Sequence, residues 1–144
     1  MRTTNSMPAV SVLLPFYNAE TTLKECMDSI ISQELSDFEV VAINDHSEDG
    51  SACLIEEYRD ERIRVINNKG KGLVAALNYG LEKCRSKLIA RMDADDVMRV
   101  QRLLKQKNYL NEHPEICLVA TQVRKFPEEK IQNGYKEYIR WQNS

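Results

Sequence analysis

Histidine is scarce in this chain of 144 residues. His46 and His113 are the only two, which leaves little material for a histidine-based metal site or a Ser-His-Asp triad. Cysteine is sparse as well. Cys26, Cys53, Cys84 and Cys117 stand far apart without a C-x-x-C pair, which argues against structural zinc. They read as reduced, mostly buried thiols of a cytoplasmic protein. No run of about 18 apolar residues occurs, so no membrane span is expected. Residues 1–7 are polar, carry one arginine and lack the apolar core of a signal peptide, so a disordered leader is expected before Pro8. Net charge is −2 with dispersed basic residues, which speaks against a general nucleic-acid binder. Hydrophobic content of 42% and charged content of 29% are ordinary for a soluble domain with a real core.

What is present is a regular alternation. Val10–Leu14, stopped by Pro15, reads as a buried strand, followed by a helical face from Glu20 to Gln33. Phe38–Ile43, Ile63–Ile66, Leu88–Ala90 and Ile116–Ala120 read as further strands. Helices are expected at Ser51–Tyr58, Gly72–Cys84 and Val100–Asn111, the last with Leu103, Leu104 and Leu110 inward. Crossovers of this length imply parallel strands with right-handed connections, hence an α/β fold: an open, mostly parallel Rossmann-like sheet with helices on both faces. Ligands of such sheets sit outside the carboxyl ends of the strands. Pro15–Asn18, Asn44–Ser47, Asn67–Gly72 and Asp93–Asp96 should therefore line one rim. Beyond Ala120 the pattern weakens into loop, with a short helix expected over Tyr135–Gln142. Its Tyr135, Tyr138 and Trp141 read as a packing face rather than a sugar platform.

The run Arg91-Met92-Asp93-Ala94-Asp95-Asp96 places three carboxylates within four residues after an apolar strand. Their mutual repulsion is relieved by a hard divalent cation such as Mg²⁺ or Mn²⁺, which keeps positions open for phosphate oxygens. The plainer reading is a solvated acidic turn, with Arg91 and Arg99 offsetting its charge. Asp45, at the end of the second strand, suits the acceptor that a nucleobase N–H needs, and equally suits a helix cap or Asx turn. Asp45, Ser47, Asp49, Gly50 and Glu56 also fall on a calcium-loop pattern, which the preceding strand excludes. Gly70-Lys71-Gly72 gives a tight turn with Lys71 either near phosphate or base, or merely solvated. Tyr17 either stacks on a base or ribose or plugs the rim. His46 lies near the rim with nothing marking it as a base, and His113 reads as a helix C-cap.

Four motifs in order resemble the nucleotide-sugar-binding half of a family 2 glycosyltransferase with the GT-A fold. They are Val10–Glu20, Ile43–Ser51, Gly72–Gly80 and Ile89–Asp96, the last followed by Arg102-Leu103. The resemblance implies transfer of a sugar (hexosyl type) from a nucleotide diphosphate, expected as UDP, to an acceptor hydroxyl with inversion, assisted by Mn²⁺ or Mg²⁺. By it, Pro15, Tyr17, Glu20, Asp45, Lys71, Gly72, Asp93 and Ala94 border the nucleotide, with Asp45 reading the base. Asp95 is the direct metal ligand, with Asp93 facing ribose and metal. Asn44 departs from the pattern, since relatives often carry a second Asp there.

The resemblance further implies residues 8–120 as the donor-binding portion and 121–144 as the incomplete start of an acceptor-binding half. The catalytic base is expected beyond Ser144. Polysaccharide biosynthesis on saccharide or lipid-linked acceptors at the inner membrane face is the implied setting. It leaves open peripheral membrane association, and exposed apolar surface leaves open a homodimer. Two rivals stand beside this reading: a sugar-phosphate nucleotidyltransferase, disfavoured because Pro15–Glu20 lacks a Gly-rich basic loop, and a non-catalytic nucleotide-binding or interaction module.

Overall fold

Val10–Phe16 (β1) and Phe38–Asn44 (β2) are buried at every position, the signature of strands covered on both faces. The computed structural model describes residues 7–127, 130–131 and 133–144. The remaining elements are α1 (Glu20–Ile31), α2 (Ser51–Glu56), β3 (Ile63–Asn67), α3 (Leu73–Lys83), β4 (Ile89–Arg91), α4 (Arg102–Glu112) and α5 (Asn133–Gln142). The chain divides into two compact units, Met1–Tyr109 and Leu110–Ser144.

In the first unit the strands form one parallel sheet in the order β3-β2-β1-β4. Val10 pairs with Phe38 and Phe16 with Asn44, while Ser11–Leu13 pair with Ile89–Arg91. Alternate β1 side chains enter two cores, as the period of two requires. Val10, Val12, Leu14 and Phe16 meet Leu23, Cys26, Met27 and Ile30 of α1 and Ile55 of α2. Leu13, with Val41 and Ile43 of β2, meets Ala76 of α3. Helices thus cover both faces. Leu23, Met27 and Ile30 are fully buried, and each contributes about 2 kcal/mol by leaving water.

Three local expectations are corrected. Pro15 does not stop β1, which runs to Phe16. Ser11 N–H donates to Leu88 O and Leu13 O accepts from Met92 N–H, so odd positions of β1 turn toward β4. That pairing ends at Leu13, so the N–H that proline lacks would have no ladder partner. Ile116–Ala120 is not a strand and lies on the irregular segment after α4. Leu118 there is 83% exposed, so the apolar run lacks the cover a buried strand needs. Of the four thiols only Cys26 is buried, Cys84 is half-buried, and Cys53 and Cys117 are exposed.

Leu103 of α4 is buried as expected. In the second unit, α5 begins two residues before the predicted start. Its Tyr135, Tyr138 and Trp141 do not form a buried packing face. They are exposed, and their rings lie one against the next at 5.7 and 5.9 Å. No helix among the described residues is long and apolar enough to cross a membrane.

Candidate functional site

All four strands are parallel, so the loops after β1, β2, β3 and β4 emerge at one rim. The direction of winding reverses at β1: β2 and β3 lie on one side of it and β4 on the other. Such a switch point opens a crevice at the carboxyl ends of the strands.

On the β2–β3 side lies a cleft of about 470 Å³, lined by Pro15, Phe16, Tyr17, Asp45, His46, Glu48, Lys71, Gly72, Leu73 and Ala76. Five residues singled out from the sequence meet here: Pro15, Tyr17, Asp45, Lys71 and Gly72. Tyr17 is 60% exposed, so it is a cleft wall and not a plug beneath the rim.

Asp45 is placed by the β2 ladder, its N–H donating to Phe16 O at 2.9 Å. Its carboxylate accepts Gly72 N–H at 2.9 Å and the Asn68 side-chain amide at 2.7 Å. It therefore holds the entry to α3, a cap supplied from another loop. A carboxylate has about four acceptor positions, so capacity remains for a ligand N–H. Gly72 has φ of +90°, a conformation that favours glycine.

The loops after β1 and β2 are stitched together. Asn18 Oδ1 accepts Glu48 N–H at 2.8 Å, and Ser51 Oγ accepts Ala19 N–H at 2.9 Å. Glu20 does not line the cleft: its carboxylate accepts Gly50 N–H at 3.1 Å. Asp49 lies below the ordinary aspartate range, chiefly through the Ser51 hydroxyl bonded to it.

The acidic run lies across the switch point, on the loop after β4. Met92 N–H donates to Leu13 O at 3.0 Å, Thr22 Oγ1 donates to Ala94 O at 3.1 Å, and the Cys26 thiol donates to Asp93 O at 3.5 Å. These bonds seat Asp93 and Ala94 against the start of α1. Asp93 pairs with Arg91 at 3.0 Å, the charge offset expected of that arginine. Asp95 is exposed. Asp93, Ala94 and Asp95 are not among the residues lining the cleft.

Negative charge nevertheless dominates the loop. The Asp96 carboxyl is pushed up by burial and then by Asp95 and Asp93, against the pull of Arg102 and Arg91. The Cys26 thiol is pushed up to about 12 by burial and by the same carboxylates. Among the described residues no three His, Cys, Asp or Glu side chains form a ready-made cation cage. What the loop does offer is carboxylate oxygen, the hard donor type that Mg²⁺ and Mn²⁺ take.

His46 and Glu48 join the cleft from within the Ile43–Ser51 motif, although neither side chain stands out there as a site residue. Their sequence signal is a place just past Asp45 at a strand end.

The model of glycosyl transferase family 2 matches residues 11–143. An uncharacterized glycosyltransferase of Haemophilus influenzae is 35% identical over 142 residues, covering 94% of this chain and 44% of that protein. Among solved structures, the fold resembles S. aureus TarS 1–349 in complex with UDP-GlcNAc, with TM-score 0.69 and 22% identity over 81% of this chain and 38% of the other. It also resembles the mannosyltransferase PcManGT from Pyrobaculum calidifontis in complex with GDP-Man and Mn²⁺, with TM-score 0.61 and 25% identity over 69% of this chain and 31% of the other. The chain spans less than half the length of the curated relatives it matches. The TarS likeness speaks for the fold alone, while the family match takes in nearly all of the parallel sheet, its rim loops, α4 and α5. By that match the chain belongs to glycosyl transferase family 2.

Proposed function

We propose that this chain is the donor-binding portion of a glycosyltransferase that moves a sugar from a UDP-sugar to an acceptor hydroxyl, with inversion. One observation carries the reading: a nucleoside-sized cleft around Asp45 and an acidic loop stand at the same rim, on the two sides of the switch point. In this reading Tyr17 offers a face to the base or ribose, and Asp45 accepts the base N–H with its spare acceptor capacity. Lys71 and the Gly72 turn border the phosphates or base, while Glu20, Pro15 and Ala94 shape the surrounding loops. Asp95, with Asp93, would hold the divalent cation, Mn²⁺ or Mg²⁺. When bound there it supplies charge neutralisation to the departing diphosphate. An acceptor hydroxyl then attacks the anomeric carbon from the opposite face, and its proton passes to a carboxylate base. No residue of this chain is assigned that part.

Residues 8–120 are taken as the donor portion, although the first compact unit ends earlier, at Tyr109. Residues 121–144 are taken as the start of an acceptor-binding half. A saccharide or lipid-linked acceptor in polysaccharide biosynthesis, at the cytoplasmic face of a membrane, belongs to the same proposal.

Calorimetric titration of UDP with and without Mn²⁺ tests it. Metal-dependent binding that weakens at least about tenfold in Asp95→Ala and in Asp45→Ala is expected. Preference for a nucleoside triphosphate over UDP points to a nucleotidyltransferase, and absence of nucleotide binding to an interaction module. Either result overturns the proposal.

A further inference from the structure

His46 stands in the left-handed region with φ of +64°, where a side chain is strained and glycine is the usual residue. Such strain persists only where surrounding bonds hold it, and it gathers at binding sites. Here the bond is visible. His46 Nε2 lies 2.8 Å from Gly70 O. A carbonyl only accepts, so Nε2 carries the proton.

Gly70 belongs to the irregular connection between β3 and α3, Asn68–Gly72, which forms one wall of the cleft through Lys71 and Gly72. Asn68 is tied to β2, its N–H donating to Asn44 O at 2.8 Å. Gly72 is tied by Asp45. Between them, Gly70 N–H donates to Asn68 Oδ1 at 3.2 Å, a bond within the connection itself. The imidazole thus joins the middle of this wall to the loop after β2. Lys71 lies between the two fixed points, Gly70 and Gly72.

We infer that His46 is a positioning residue of the donor cleft: its Nε2–H to Gly70 O bond holds the Gly70–Gly72 wall, and with it Lys71, in the shape that receives the nucleotide. This rests on the proposed UDP-binding function. Pre-ordering a wall removes an ordering cost from the binding step.

A purely structural role predicts different behaviour. His46→Gly relieves the left-handed strain while removing the imidazole, so its thermal midpoint should equal or exceed that of the unaltered chain. Its affinity for UDP in the presence of Mn²⁺ should fall by roughly fivefold or more. Amide exchange at Lys71 and Gly72 should quicken. His46→Gln, which restores an N–H donor at similar reach, should recover part of the affinity. The inference is overturned if His46→Gly binds UDP within about twofold of the unaltered chain, or if its affinity falls only together with its thermal midpoint. If the unaltered chain itself fails to bind UDP with Mn²⁺, the proposed function fails first, so the two failures are distinguishable.

Discussion

Glu20 and Asp49 cap each other's neighbourhoods. Glu20 N–H, at the first turn of α1, donates to Asp49 Oδ2 at 3.1 Å, and the Glu20 carboxylate accepts Gly50 N–H, at the entry to α2, at 3.1 Å. Each helix start receives its acceptor from the residues at the start of the other. The residues before α1 show why this is needed: its N-cap is Ala19, which has no side-chain acceptor. The loops after β1 and β2, which carry Tyr17 and Asp45, are therefore one mechanical unit.

Removing the Glu20 carboxylate should loosen that unit. Glu20→Ala is expected to lower stability by about 1 kcal/mol, the usual cost of a lost cap. Glu20→Gln keeps an oxygen acceptor and should lose less. Urea unfolding midpoints of the two variants measure the difference, and equal midpoints would refute the capping role.

Gly80 of α3 lies hard against the sheet. A Cβ there would collide with Leu13 Cδ1 and come within 2.9 Å of Ile43 Cγ1. Alanine favours helices by about 1 kcal/mol over glycine, but overpacking costs roughly 1–3 kcal/mol. Gly80→Ala is therefore expected to destabilise by about 1 kcal/mol, read by thermal denaturation. A stabilised variant would mean that α3 shifts outward freely.

The fold is legible in the sequence because its signals are local and repeated. Val10–Leu14 and Phe38–Ile43 are apolar runs of strand length, and the Glu20–Gln33 face has helical spacing. The same local signal misleads at Ile116–Ala120, since composition alone does not show whether a run finds a partner strand. Pro15 reads as a stop because the direction of its missing N–H depends on register, which emerges only on pairing. At the rim, Pro15, Tyr17 and Asp45 are legible as strand-end residues, and Lys71 and Gly72 as the turn that leads from a strand into a helix. The duties of Glu20 and His46 are not. Their partners, Gly50 and Gly70, are 30 and 24 positions away, and no short motif records such bonds. Glu39 hides inside an apolar strand for the same reason.

Glu39 is 1% exposed, yet charged. Burial pushes its carboxyl up, but bonds from Ser11, from the Arg85 backbone and guanidinium, and from Arg64 outweigh it, so the group lies below the usual glutamate range. A carboxyl depressed in the folded state stabilises above its unfolded pKa of about 4.3, and loses that contribution as pH falls through its folded value. Arg64 and Arg85 are 33% and 58% exposed, which discounts the pairs for solvent screening. Glu39→Gln should cost about 2 kcal/mol at pH 7, short of a fully buried pair. The gap to the unaltered chain should narrow below about pH 4. Denaturant midpoints at pH 7 and pH 3 check both, and a gap that widens on acidification would reverse the sign.

Asp45 has two duties that a single substitution confounds: it holds Gly72 and Asn68, and in the proposed function it reads the base. Asp45→Ala removes both, leaving two part-buried donors that water only partly satisfies, for a loss of about 1 kcal/mol. Asp45→Asn sets one amide N–H₂ against that of Asn68, while its oxygen still accepts Gly72 N–H. Adding Asn68→Asp reverses the polarity of the 2.7 Å bond between positions 45 and 68 and restores it. The carboxylate at position 68 still accepts Gly70 N–H, as Asn68 Oδ1 does now. The double variant should thus regain most of the lost stability. Its affinity for UDP should stay about tenfold down, because the spare acceptor facing the cleft has become a donor. Full recovery of affinity together with stability would show that Asp45 acts only by holding the loop, and that another group meets the base.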